Sequence, residues 1–213
     1  MVENDSHKEA AVTDLTLDDL DRIYGQPKPT TKAKSLDHID KYGRQFLALS
    51  PFCVISGADA DGSMDVSPRG GEPGFVHVED DRTLMLPDRP GNNRLDTLRN
   101  LVVGNGRIGM MFLIPGFDDL YRVNGRASLT DDPALLDRFV EFGRKPRAIV
   151  KVAVEEAFLH CPKAIMRARL WEQEAQIERS TMPTLSEMVM DQLNLGKPQF
   201  EEAAVIESYK TQL

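Results

Sequence analysis

The chain has 213 residues, a formal net charge of −8, 41% hydrophobic residues and two cysteines. That length suits one domain with extensions, and the acidic balance excludes general binding to nucleic acid or to an anionic membrane surface. No apolar run approaches the roughly 20 residues that span a bilayer, and the polar, charged stretch 1–10 carries no export pattern.

Residues 1–34 read as an arm, with a short helix over 16–23 and an extended or irregular stretch over 25–34 around Pro27 and Pro29. Ser35 is placed to cap a helix whose Leu36, Ile39, Tyr42 and Phe46 recur on one face. Strands are expected at 52–56 and 63–67, joined by a turn at 59–62, with Pro68 stopping the second. A second hairpin pairs 75–78 with 82–86.

Residues 86–94 then form a turn rich in Pro, Gly and Asn before a helical run over 95–103. Asn92 or Asn93 is placed as the N-cap. Exposed amides at such a helix start attract anions, and Arg89 and Arg94 add positive charge, which points to a small phosphorylated ligand.

Residues 108–114 are continuously apolar and read as a strand buried on both faces. Over 120–130 the pattern alternates, with Tyr121, Val123, Gly125 and Ala127 on one side and Arg122, Asn124 and Arg126 on the other. A helix follows from 131, with Leu135, Leu136, Phe139 and Val140 as its apolar face, then a strand at 149–154 and a short helix or turn at 163–170. Residues 185–193 and 200–213 are helical in pattern, separated by Gly196 and Pro198. The sum is about six strands with inserted helices, an α+β fold with a mainly antiparallel sheet that is expected to close into a barrel.

Several residues carry two readings. Arg69, between Pro68 and Gly70, is rigidly presented for ligand contact or simply ends a strand. Arg122 either faces a ligand or belongs to the wet side of the sheet. Trp171 anchors an interface or cofactor edge, or only packs. His160 and Cys161 point to opposite faces of an extended chain and have no third ligand at suitable spacing, so no metal site is expected. Cys161 reads as a small buried group, Met110–Phe112 as core, and both cysteines as reduced thiols, which points to the cytoplasm.

Four segments in order, Ser67-Pro-Arg-Gly70, Leu86-Pro-Asp-Arg-Pro-Gly-Asn-Asn-Arg94, Arg122-Val-Asn-Gly-Arg-Ala127 and His160-Cys-Pro-Lys-Ala164 with Leu170-Trp171, resemble the pyridoxamine 5′-phosphate oxidase-like superfamily of FMN-binding split barrels. The nearest resemblance is to a branch of FMN-dependent enzymes with undefined substrates, and it covers residues 36–172. It implies a six-stranded split β-barrel, a homodimer, and FMN in clefts at the subunit interface. It also implies that Ser67, Arg69 and Gly70 line the flavin, that the backbone of Leu86, Pro87 and Asp88 runs along the ring, and that Asn92, Asn93 and Arg94 hold the phosphate. Arg122 would approach the flavin from its strand, while Arg169 and Trp171 would come from the second subunit.

The activity implied is that of an FMN-dependent oxidoreductase, passing hydride through flavin N5 to or from a small molecule, with no catalytic side chain assigned. A flavin carrier or sensor, or a split barrel holding another ligand such as haem, would share these motifs. The domain division expected is an arm at 1–34, the FMN-binding domain at 35–172 and a helical extension at 173–213. The basic C-terminal motif of the vitamin B6 oxidase has no counterpart in the acidic tail with its Glu201 and Glu202, so pyridoxamine phosphate is not the expected substrate.

Overall fold

The computed structural model of the protein describes residues 14–141 and 143–210; the polar stretch 1–10 and the end of the last expected helix, 211–213, lie outside them. The chain divides into two compact units, 1–34 and 35–213. In the first, helix α1 (Leu17–Tyr24) starts on a capping box: the Thr16 hydroxyl accepts from the Asp19 amide, and the Asp19 carboxylate takes the Thr16 amide. A short helix α2 (Pro29–Ala33) stands where an extended stretch is predicted. Pro29 opens it, at a position whose missing N–H has no helical partner to lose.

The second unit is built on seven strands: β1 (Phe52–Ala58), β2 (Met64–Gly70), β3 (His77–Val78), β4 (Thr83–Asp88), β5 (Arg107–Leu113), β6 (Leu120–Thr130) and β7 (Ala148–His160). They form one antiparallel sheet in the order β2-β1-β5-β6-β7-β4-β3. The α+β class agrees with the sequence. Two details do not: the described residues form seven strands rather than six, and the hydrogen-bonded ladder stays open, with β2 and β3 at its edges.

Edge placement explains why Pro68 does not stop β2. The strand runs on to Gly70, with Pro68 opposite Val54 of β1, and its other side has no strand to receive the N–H that proline lacks. β6 alternates as predicted, with Tyr121, Val123 and Gly125 buried. A register shift at Asn124/Gly125 bends it against β7. Gly125 is required there, because a Cβ would stand 2.1 Å from the Ala153 carbonyl oxygen.

β5 departs from the expectation of a strand buried on both faces. Ile108, Met110 and Phe112 point into the core, but Arg107 and Met111 are exposed. A short apolar run cannot by itself report whether its second face is covered.

The core lies on the concave side of the sheet, from Phe46 and Leu47 through Cys53, Ile55, Phe112, Tyr121 and Val123 to Leu84, Leu86, Val150 and Val152. Helix α3 (Lys41–Leu49) closes one side. Its cap is Asp40, whose carboxylate accepts from the Gly43 amide at 2.7 Å, not Ser35. Ser35 is drawn elsewhere, its hydroxyl donating to Glu156, while Leu36 pairs with Ala157 through two backbone bonds.

Helices α4 (Asp96–Val103), α5 (Pro133–Arg138) and α6 (Lys163–Ala168) follow strands, and α7 (Leu185–Gln192) and α8 (Glu202–Lys210) make up the tail. α5 stops at Arg138, short of Phe139 and Val140. Cys161 is exposed rather than buried, because it sits in the turn after β7 ends; Cys53 is buried and both thiols are free. Among the described residues no helix is long and apolar enough to cross a membrane.

Candidate functional site

β4 ends on Asp88, which is buried, and α4 begins at Asp96. The turn between them is fixed at both ends to β2, although β2 lies at the far side of the strand order. At the first end the Asp88 carboxylate accepts from Nη1 of Arg69 in β2. At the second end the buried Thr97 hydroxyl donates to the carboxylate of Asp65, also in β2. Asp65, Ser67 and Arg69 alternate on the inward face of their strand, so Ser67 stands between the two attachments. The open sheet is therefore curled until its β2 edge meets the end of β4. Side chains, not ladder bonds, span the gap.

Arg69 is incompletely satisfied. Its Nε is buried and has no hydrogen-bond partner among the described residues. Such donors are rare in folded proteins. Opposite it in the ladder is Cys53, whose thiol burial pushes up to about 12, so it stays protonated at neutral pH.

The backbone of the turn is unusual. Asn93 and Leu95 both have positive φ, 58° and 61°, and Leu95 is the N-cap of α4 with no side-chain cap. Neither Asn92 nor Asn93 caps the helix as predicted. The Asn92 side chain accepts from the Arg94 amide at 3.0 Å, and that of Asn93 accepts from Arg147 at 2.7 Å. A left-handed residue followed by a helical one turns successive N–H groups toward one side, a concavity suited to an anion. The first amides of α4 thus lack a side-chain acceptor, and among the described residues the exposed Arg94 beside them pairs only with Asp96. Arg89 turns away instead, to Glu141 and the Phe139 carbonyl.

β3 pairs only with Leu84 and Met85, so the edge of β4 at Leu86, Pro87 and Asp88 has no strand beside it on that side. A cleft of about 330 Å³ opens next to it, lined by Phe75, His77, Pro87, Arg89, Phe139 and Glu141 among others.

The remaining candidates lie elsewhere in the chain. Arg122 is on the opposite face of the sheet from Arg69, in a row that runs Pro68, Val54, Met111, Arg122, Phe158 across five strands. Its guanidinium sits 5.2 Å from the centre of the Phe158 ring. Next along this face the Asn124 amide and the Ser35 hydroxyl both donate to Glu156, and these bonds, that from Ser35 foremost, hold its carboxyl below the usual range. Trp171 donates its indole N–H to the Phe117 carbonyl at 2.7 Å, and the neighbouring Arg169 pairs with Glu172. Both follow the His160 end of β7, whereas Asp88 pairs with Ala148 at its start, roughly 40 Å away along the strand. One chain does not bring them to the turn.

Sequence reasoning missed Asp65, Thr97 and Arg147. The period-2 placement of Asp65 on the same face as Ser67 and Arg69 was the available signal for the first; the other two carry none.

An open, curled antiparallel sheet with helices inserted between strands defines the class. Within it, the sequence pattern of the pyridoxamine 5′-phosphate oxidase family matches residues 39–161, more than half of the chain, and the chain belongs to that family. No curated protein gives a significant match. Among solved structures, HupZ of Group A Streptococcus is 18% identical, with a TM-score of 0.46 over 57% of this chain and 93% of that one. An FMN-binding protein from Syntrophomonas wolfei is 15% identical, with a TM-score of 0.45 over 55% and 83%. A protein of the pyridoxinephosphate oxidase family from Clostridium acetobutylicum is 11% identical, with a TM-score of 0.42 over 56% and 85%.

Proposed function

We propose that this chain is an FMN-binding homodimer of the cytoplasm that acts as an oxidoreductase on a small molecule. The observation that carries the reading is the turn after β4: it is attached at both ends to β2, uncapped at the helix it opens, and adjoined by a buried guanidinium nitrogen without a partner among the described residues. The residues present fit a mononucleotide. Amides at the start of α4, with Asn92, Asn93 and Arg94, would hold the phosphate. Ser67, Arg69 and Gly70 would line the ring, Arg69 donating from Nε, and the unpaired edge of Leu86, Pro87 and Asp88 would run beside it. Bound flavin supplies hydride chemistry at N5. Arg69 in this position would favour negative charge on its neighbour.

The dimer is supported by the outer face of the sheet. Phe52, Met64, Val66 and Met111 are exposed there, with Met64 and Val66 both more than 60% accessible. Isolated exposed apolar residues are ordinary, but a contiguous set on adjacent strands marks an interaction surface. Arg169 and Trp171 would then reach the cofactor of the second copy. Two free thiols support the reducing compartment.

The deciding experiment is the visible spectrum of freshly purified protein, with mass spectrometry of whatever it releases on denaturation and titration with FMN. Flavin absorption and a saturable titration are expected. Colourless protein that takes up no FMN would overturn the reading. Protein that binds FMN yet oxidises no reduced nicotinamide or deazaflavin faster than free FMN would reduce the role to a carrier.

A further inference from the structure

We propose that Asp88 is a positioning residue, which fixes the Arg69 guanidinium across the gap in the sheet so that Nε faces an acceptor on the bound mononucleotide; the proposal rests on the FMN reading above. Asp88 is suited to this because it cannot move itself. It closes the β4–β7 ladder opposite Ala148, its carbonyl accepts from the Arg147 amide at 2.9 Å, and only 8% of its side chain is accessible. Arg69, by contrast, comes from an edge strand and crosses the gap to reach it.

A guanidinium offers five N–H donors in a rigid plane, so fixing Nη1 on a carboxylate also fixes the direction of Nε. That Nε is buried and unpaired among the described residues, which is the arrangement expected of a donor completed by a ligand. The carboxylate works against the simplest electrostatic design. Placing Asp88 beside Arg69 lowers the net positive charge offered to an anionic ligand, so its value to the site lies in geometry.

The test compares FMN affinity, read by flavin fluorescence quenching, in the full chain and in Asp88→Ala, Asp88→Asn, Arg69→Met and the double variant Arg69→Met/Asp88→Ala, with circular dichroism and melting of each. Positioning predicts that Asp88→Ala weakens FMN binding about tenfold or more, the scale of one charged hydrogen bond. Asp88→Asn keeps an acceptor oxygen and should lose less. In the Arg69→Met background, Asp88→Ala should cost nothing further.

Unchanged or tighter binding in Asp88→Ala would overturn the proposal in favour of charge alone. An equal loss in both backgrounds would overturn it in favour of a latch that only holds the fold. If Asp88→Ala does not fold, Asp88→Asn with and without Arg69→Met decides by the same criterion. Wild-type protein that binds no FMN overturns the proposed function and this inference together, whereas normal FMN binding by wild type and Asp88→Ala alike overturns this inference alone.

Discussion

The turn between β4 and α4 and the α7–α8 tail are both excursions from the sheet, held by opposite means. The turn has poor local chemistry: two left-handed non-glycine residues and a helix start without a side-chain cap. It is kept in place by its own buried Asp88 and by the buried Thr97 of α4, which bond to Arg69 and Asp65 of β2. In the tail, the local chemistry is good. Thr184 and Glu187 form a reciprocal capping box at the start of α7, yet neither α7 nor α8 buries a single residue. Backbone that is locally unfavourable persists only where tertiary contacts over-determine it, and such places are where function concentrates. Local consistency without tertiary contact leaves a segment whose stability is its own.

The largest test of this contrast is a matched pair of truncations. Phe112→Ala, in the fully buried centre of β5, should cost about 3–5 kcal/mol in urea denaturation. Phe200→Ala, at a side chain 70% exposed, should cost less than about 0.5 kcal/mol. A loss of several kcal/mol at Phe200 would show that the tail is covered in solution and would break the contrast.

Next in size is Arg94→Ala. It should weaken FMN binding about tenfold by removing one charge-assisted bond, while leaving the melting temperature unchanged because the side chain is 79% exposed and paired with the partly exposed Asp96. Parallel losses of affinity and stability would mean that Arg94 holds the turn instead.

Thr184→Ala should remove about 1 kcal/mol of helix stability. It should appear as lost far-UV helical signal with no shift in the melting of the sheet. A coupled shift would mean that tail and sheet unfold together.

The smallest effect is in acid. The backbone amide and then the hydroxyl of Thr184 hold the Glu187 carboxyl below its ordinary value of 4.5. A lowered folded-state value means a contribution that is present above that pH and lost as pH falls through the lowered value. Titration by far-UV circular dichroism should therefore show α7 weakening below about pH 4.5, and helicity that held constant there would remove the capping assignment.

Strand positions were largely legible because alternation is a local property. The burial of Tyr121, Val123 and Gly125 follows from spacing alone. The candidate site was legible only as segments. The 86–94 composition announces a turn before a helix, but it cannot say that Asn92 would engage the Arg94 amide, or Asn93 the side chain of Arg147, rather than cap α4. Nor could the segment 67–70 say which partner Arg69 would meet. Asp88 is 19 residues away in sequence, with four strands of the ladder lying between the two.

By itself the sequence determined the α+β class, the alternating strands, the helical pattern over 185–193 and the turn that precedes the helix after residue 94. Tertiary structure decided that Pro68 lies inside an edge strand, that Met111 is exposed, that Arg69 and Arg122 occupy opposite faces, and that β2 closes on the end of β4 through an ion pair. The reason is physical. Period and turn chemistry act over a few residues and are written in order along the chain, whereas the curl of a twisted sheet accumulates over all its strands and selects which distant side chains are brought within hydrogen-bonding reach.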